Sequence, residues 1–206
     1  MSGIEIGRLL RSDTTGFVVG CTFEQVYEPA FGAMVRAPFA EDYQIYGLIH
    51  DIRIDDDGLV RQMSLSEGLA DEALLDVRGN RTVPVEIGVL ALGYEEGGRI
   101  SHLLPPRPPL SLDVIYLCTP AEVARFTAAG RFGYFRHILR DRAKPVEELL
   151  AAHLRQAGAA QVDAGNADWT EGAAQELIAL LRDDYQVLMN VLGAAGEIEI
   201  TNKGQG

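Results

Sequence analysis

Catalytic signatures are what this sequence most lacks. It has no GxxxxGK[ST] loop to cradle phosphates beside a lysine, so ATP hydrolysis by this chain alone is not expected. GxGxxG, the GxSxG nucleophile elbow and HExxH are missing too. Cysteine is scarce: Cys21 and Cys118 fall in separate predicted strands without CxxC spacing, which predicts two buried, reduced thiols. The four histidines form no ligand pair on one predicted element. His153 falls on an apolar helical stripe and reads as a satisfied core residue, His50 faces away from its neighbour Asp51, and His102 and His137 have no identifiable partner. Basic residues are also few, 18 Lys and Arg against 30 Asp and Glu, and the net charge of −12 opposes general attraction to phosphate polymers or anionic membranes. No apolar run is long enough to span a bilayer, and the opening MSGIEIGRLLRSD has no apolar run followed by a cleavage site. These absences predict a cytoplasmic protein with no cofactor, no membrane partner and little affinity for nucleic acid.

What is present divides at one stretch, Leu103 to Phe126. Pro105, Pro106, Pro108 and Pro109 flank Arg107, and each fixes φ and lacks an N–H, so the segment predicts a stiff, extended connector. Asp113 to Cys118 then suits a last buried strand. Thr119-Pro120-Ala121-Glu122 places a hydroxyl at the N-cap, proline at the first helical position and a carboxylate at N3, which predicts the start of a helix.

Before that boundary the pattern is sheet-like. Ile4 to Leu10, Gly16 to Phe23, Ala33 to Ala37, Tyr43 to Ile54, Val83 to Tyr94 and Arg99 to Leu104 read as strands. Gly47 inside the fourth marks a bulge or a tight bend. Asp55-Asp56-Asp57-Gly58 invites a calcium-loop reading, but the template puts Arg53 and Ser64 where acids are needed, so a hairpin turn is expected. Residues 66–76 suggest a short helix. Six or seven short strands at this spacing, followed by helices, predict an α+β chain. The expected parts are a small closed β-barrel over residues 1–118, a helical domain over 119–193 and a flexible tail over 194–206.

Downstream, Phe126 to Lys144 reads as a helix with Phe132, Phe135 and Leu139 on one face and Arg136, Arg140 and Lys144 on another. Pro145 opens a new helix, in which Val146, Leu149, Leu150, His153, Leu154 and Ala157 keep the helical period. A small-residue linker, Gly158 to Asn166, precedes a last helix carrying Leu177, Ile178, Leu181, Tyr185, Leu188 and Leu192. Six basic residues between Arg125 and Lys144, interleaved with aromatics, suit a nucleic-acid backbone or an acidic partner, or else pair with the chain's own carboxylates. An acidic, metal-dependent hydrolase site would draw on Asp51, Glu86 and Asp113, although nothing in their spacing selects it.

With strands and junction in place, the sequence resembles the HAS barrel shared by HerA-type DNA-translocating ATPases and the catalytic subunits of ATP synthase. The residues that carry the resemblance are Ile6-Gly7-Arg8-Leu9-Leu10, Phe17-Val18-Val19, the run from Tyr43 to Ile49, and the Pro105 to Pro109 connector. The whole chain also looks like a group of stand-alone bacterial proteins in which this barrel is followed by helices. In the ATPases the barrel is non-catalytic and helps to order a subunit ring or to dock a partner. Here helices stand where the ATPase domain would begin. The resemblance implies an assembly or adaptor protein that forms homo-oligomers and partners a separately encoded HerA-type ATPase. Pro106, Arg107 and Pro108 on the connector, with Arg136, Arg140 and Lys144 on the basic face, are the expected contact residues.

Overall fold

The computed structural model describes residues 3–21, 28–54, 85–141 and 144–203. The aspartate-rich turn at 55–58, the short helix at 66–76 and the outer ends of two expected strands, at 22–23 and 83–84, lie outside the described residues. Seven strands form one antiparallel sheet: β1 (Glu5–Ser12), β2 (Gly16–Cys21), β3 (Met34–Ala40), β4 (Tyr43–Ile54), β5 (Val85–Glu96), β6 (Arg99–Ser101) and β7 (Val114–Leu117). Their order is β2-β1-β7-β3-β4-β5-β6, and a further β2–β5 ladder running from Gly16↔Leu90 to Cys21↔Val85 closes six of them into a barrel. Among the described residues β6 alone stands outside the ring, as a hairpin extension of β5. The chain is therefore α+β, with a closed N-terminal barrel followed by helices.

Alternation explains why these segments close. Ile6, Leu9, Phe17, Val19, Val35, Ile45, Ile49, Ile87, Val89 and Ile115 point inward and make one apolar cluster. Outward-facing Met34, Tyr46, Leu48, Leu90 and Leu92 belong to a second cluster, shared with the helices. Two bulges re-aim this wall. At the first, between Tyr46 and Gly47, a Cβ on Gly47 would lie 2.3 Å from Val89 Cγ1, so glycine is the residue that permits the close approach. At the second, Ile49 pairs with Val89 and Asp51 with Gly88, leaving His50 as the extra residue. The strict alternation expected along β4 is thereby reversed, and Ile52, not Asp51, packs toward the barrel interior.

The helices are α1 (Pro120–Ala128), α2 (Phe135–Arg140), α3 (Val146–Asp163), α4 (Trp169–Leu180) and α5 (Tyr185–Lys203). Thr119 caps α1 in a full capping box, its hydroxyl accepting from the Glu122 amide while Glu122 accepts from the Thr119 amide. The continuous helix expected over Phe126 to Lys144 is broken: Gly130, Arg131 and Phe132 have φ of 58°, 47° and 58° around a 3₁₀ turn. The His102 ring packs against this break, where a Cβ on Gly130 would sit 2.6 Å from its Nδ1. Helix α3 runs through Gly158 to Asp163, so the expected linker is shorter. The last predicted helix is two helices, because the chain turns between Leu180 and Tyr185; the stripe divides, with Leu177, Leu181 and Leu188 buried and Ile178, Tyr185 and Leu192 exposed. Helix α5 continues to Lys203, past the Gly193 at which the helical domain was expected to end. No helix among the described residues is long and apolar enough to cross a membrane.

Candidate functional site

The seam between barrel and helices holds most of the buried polar chemistry. Three side chains reach carbonyls in the last turns of α1, where regular helical partners run out. His102 Nε2 donates to Phe126 O at 3.1 Å, Gln161 to Ala124 O at 2.8 Å and Trp169 to Thr127 O at 3.2 Å. The carbonyl of His102 accepts from His137 Nε2 at 2.8 Å and from Arg136. His153 is wholly buried beside the Tyr134 hydroxyl, 3.0 Å away, and burial holds its pKa down to about 4. These histidines serve as structural hydrogen-bonding groups.

A second polar group joins β5 to α1. Glu95 meets Arg125 through two oxygens at 2.5 and 2.6 Å, and also accepts from the Tyr46 hydroxyl at 2.9 Å and Gln44 at 2.7 Å. The Arg125 hydrogen bonds hold the Glu95 carboxyl down to about 2. Arg125, the first residue of the expected basic face, is thus committed to the protein's own carboxylate.

The other predicted contact residues are scattered. Arg136 is tied to the His102 carbonyl, and Lys144 lies beyond α2, paired with Asp141. Arg140 is exposed at the end of α2. The four-residue spacing of Arg136, Arg140 and Lys144 therefore does not produce one helical face. Of the three acids considered for a hydrolase, Glu86 is held by Arg11 at 2.7 and 3.0 Å, Asp113 accepts from the Leu110 amide at 2.8 Å, and Asp51 is exposed on β4. Strands β2 and β1 separate Glu86 from the Asp113 end of β7. No three His, Cys, Asp or Glu side chains among the described residues are grouped to hold a metal ion. Cys21 and Cys118 are both free and buried, and burial pushes the Cys21 thiol up to about 11.

No protein-family model and no curated protein matches the chain.

The proline connector joins β6 to β7 across one side of the barrel. Pro105 and Pro109 are buried, while Pro106 and Arg107 face outward with Pro108 half-buried. Ser12 on β1 donates to the Pro109 carbonyl at 2.7 Å and so pins its far end. Directly after it, Leu110-Ser111-Leu112-Asp113 forms a turn in which the Asp113 amide donates to Leu110 O at 3.1 Å. Leu112 has φ of 74°, the positive value that type II turns reserve for glycine at this position. The Leu112 amide donates to Leu9 O at 2.8 Å, and the Leu112 carbonyl accepts from Arg8 at 3.1 Å, so the residue is held in place against β1. Its side chain is 68% exposed. Leu110 and Leu10 are exposed beside it, and the Ser111 hydroxyl contacts the Leu10 carbonyl. Sequence reasoning singled out the connector but missed these leucines, because it read them only as the approach to a strand. The readable signal was a bulky residue two places after Pro-Leu, where a turn favours glycine.

Proposed function

We propose that this protein works by contact: it is a non-enzymatic, cytoplasmic assembly or adaptor protein whose barrel docks a protein partner, with a separately encoded HerA-type ATPase as the expected one. The reading is carried by Leu112. A large apolar residue at positive φ costs about 1–2 kcal/mol relative to glycine, and an exposed leucine recovers little of that within its own chain. The same residue gains a purpose where a partner covers it, because burying an exposed leucine stabilises a complex by about 1.5–3 kcal/mol. Leu10, Leu110 and the rigid Pro106-Arg107-Pro108 segment extend that surface, and stiffness lowers the ordering cost of association. The closed antiparallel barrel supports the reading, since it is the architecture that the HAS-barrel resemblance implies.

The test separates docking from stability. Leu112→Gly relieves the backbone and raises unfolding stability by about 0.5–1 kcal/mol in chemical denaturation. The same change weakens co-purification with a HerA-type ATPase, and Leu110→Asp with Leu112→Asp abolishes it. Unchanged capture by the double variant, or no capture by the unaltered protein at micromolar concentration, overturns the proposal.

A further inference from the structure

A cleft of about 670 Å³ lies between the β1–β2 hairpin, the bulged part of β4 and the end of α2. Val18 and Leu104, both half-buried, supply apolar lining, and His50, Arg140 and Lys144 supply polar groups. His50 reaches this space because it is the extra residue of the second β4 bulge, and bulges commonly turn a side chain toward a site. Gly88 makes room for its ring: a Cβ there would lie 2.8 Å from His50 Cε1. A bulge and a glycine on neighbouring strands thus act together to present one imidazole.

The charge of the cleft runs against that of the chain. Three basic residues line it (Arg11, Arg140, Lys144) against two acidic ones (Asp13, Asp141), giving +1 in a protein of net −12. Both acids are already engaged. Asp13 accepts from the Thr15 amide and hydroxyl at 2.6 Å each and from the Gly16 amide at 3.1 Å, and Asp141 accepts from Lys144. Arg11 is held by Glu86. Arg140 has no carboxylate partner among the described residues, and its charge helps to hold the buried His137 imidazole neutral, burial being the larger cause. Lys144 acts on both His50 and Asp13, so the two sides of the cleft stand within electrostatic reach of each other. One guanidinium with no carboxylate partner among the described residues, a lysine paired with Asp141 and the half-buried His50 imidazole thus stand together beside an apolar wall.

We propose that this cleft binds a small organic anion, with Arg140 and Lys144 on its phosphate or carboxylate and Val18 and Leu104 against its apolar body. The volume lies within the range of about 300–1,000 Å³ usual for such ligands. This goes beyond docking at Leu112 and stands on different residues, so either proposal can fail alone.

Titration calorimetry on the full chain tests it, with phenyl phosphate, benzoate and inorganic phosphate as probes. At least one aromatic anion binds saturably, and about tenfold or more tighter than inorganic phosphate, because the ring covers apolar surface. The better of the two identifies the head group. Arg140→Ala weakens that binding about tenfold or more, the usual effect of losing a charge-assisted hydrogen bond. It leaves the melting curve unchanged, since the side chain is exposed. Arg99→Ala, on the β5–β6 hairpin, has no effect on binding. Failure of both aromatic anions to saturate up to about 10 mM overturns the proposal. So does binding that is indifferent to Arg140→Ala, and so does inorganic phosphate binding as tightly as phenyl phosphate.

Discussion

The barrel interior and the seam under the helices use opposite faces of the same strands, β4 and β5, yet they are built from different chemistry. Inside the ring the side chains are almost all Ile, Val, Leu and Ala, because the ladders already satisfy every strand amide and carbonyl they cover. The seam has to receive a helix end, a 3₁₀ turn and the chain leaving β6, where backbone groups lack regular partners. It answers with His102, His137, Gln161 and Trp169 as donors, and with Glu95 and Arg125 as an internal ion pair. A sheet closed on itself can be filled with hydrocarbon; a sheet joined to irregular chain needs polar side chains at named carbonyls.

The largest effect should come from emptying the seam. Phe126 is fully buried, with Tyr46 and His102 ring centroids each 4.7 Å away, and Phe126→Ala is expected to cost about 3–5 kcal/mol in urea unfolding. Ile87→Val inside the barrel removes one methylene and is expected to cost about 1 kcal/mol. If the two losses came out equal, the seam would not be the more demanding region.

Next is the pH response of the seam. His153 is neutral in the fold with a pKa of about 4, below its usual 6.5, so between these values the unfolded chain binds more protons. Its contribution is therefore complete above about pH 6.5 and is lost as pH falls through that window, by roughly 2 kcal/mol on going from pH 7 to pH 5. His50, His102 and His137 are lowered in the same direction by burial. His153→Gln should flatten the fall in melting temperature over this range, and an unchanged slope would show that the other three histidines carry it. Glu95 titrates in a lower window: its stabilisation is present above about pH 4.5 and disappears as the pH drops toward 2.

A smaller effect than emptying the seam concerns the Glu95 pair at neutral pH. Glu95→Gln leaves Arg125 without its anion, but that side chain is 47% exposed and water compensates it, so a loss of about 1–2 kcal/mol is expected. The double variant with Arg125→Met should recover part of the loss, and a double-mutant cycle measures how much.

This contrast also explains what could be read from the chain alone. Barrel strands follow alternation, and β4 was expected at Tyr43 to Ile54, the range it occupies. The α1 start was equally readable, because the capping box is written in four consecutive residues. The break at Gly130 was hidden, since the ring packed against it, His102, comes from 28 positions earlier. Arg136, Arg140 and Lys144 looked like one face because their spacing is helical, but α2 ends at Arg140 and leaves Lys144 beyond it. The cleft was illegible because its residues come from distant strands, and the placing of His50 on it follows from a bulge that alternation counts as an ordinary step.

The position of β7 carries a consequence for synthesis. It fits between β1 and β3, so the N-terminal strand cannot be flanked on both sides until Val114 to Leu117 has been made. A nascent chain stalled at the prolines would present two raw hydrogen-bonding edges one strand apart, open to capture by any extended segment nearby. Synthesis of β7 supplies the strand that closes the ring.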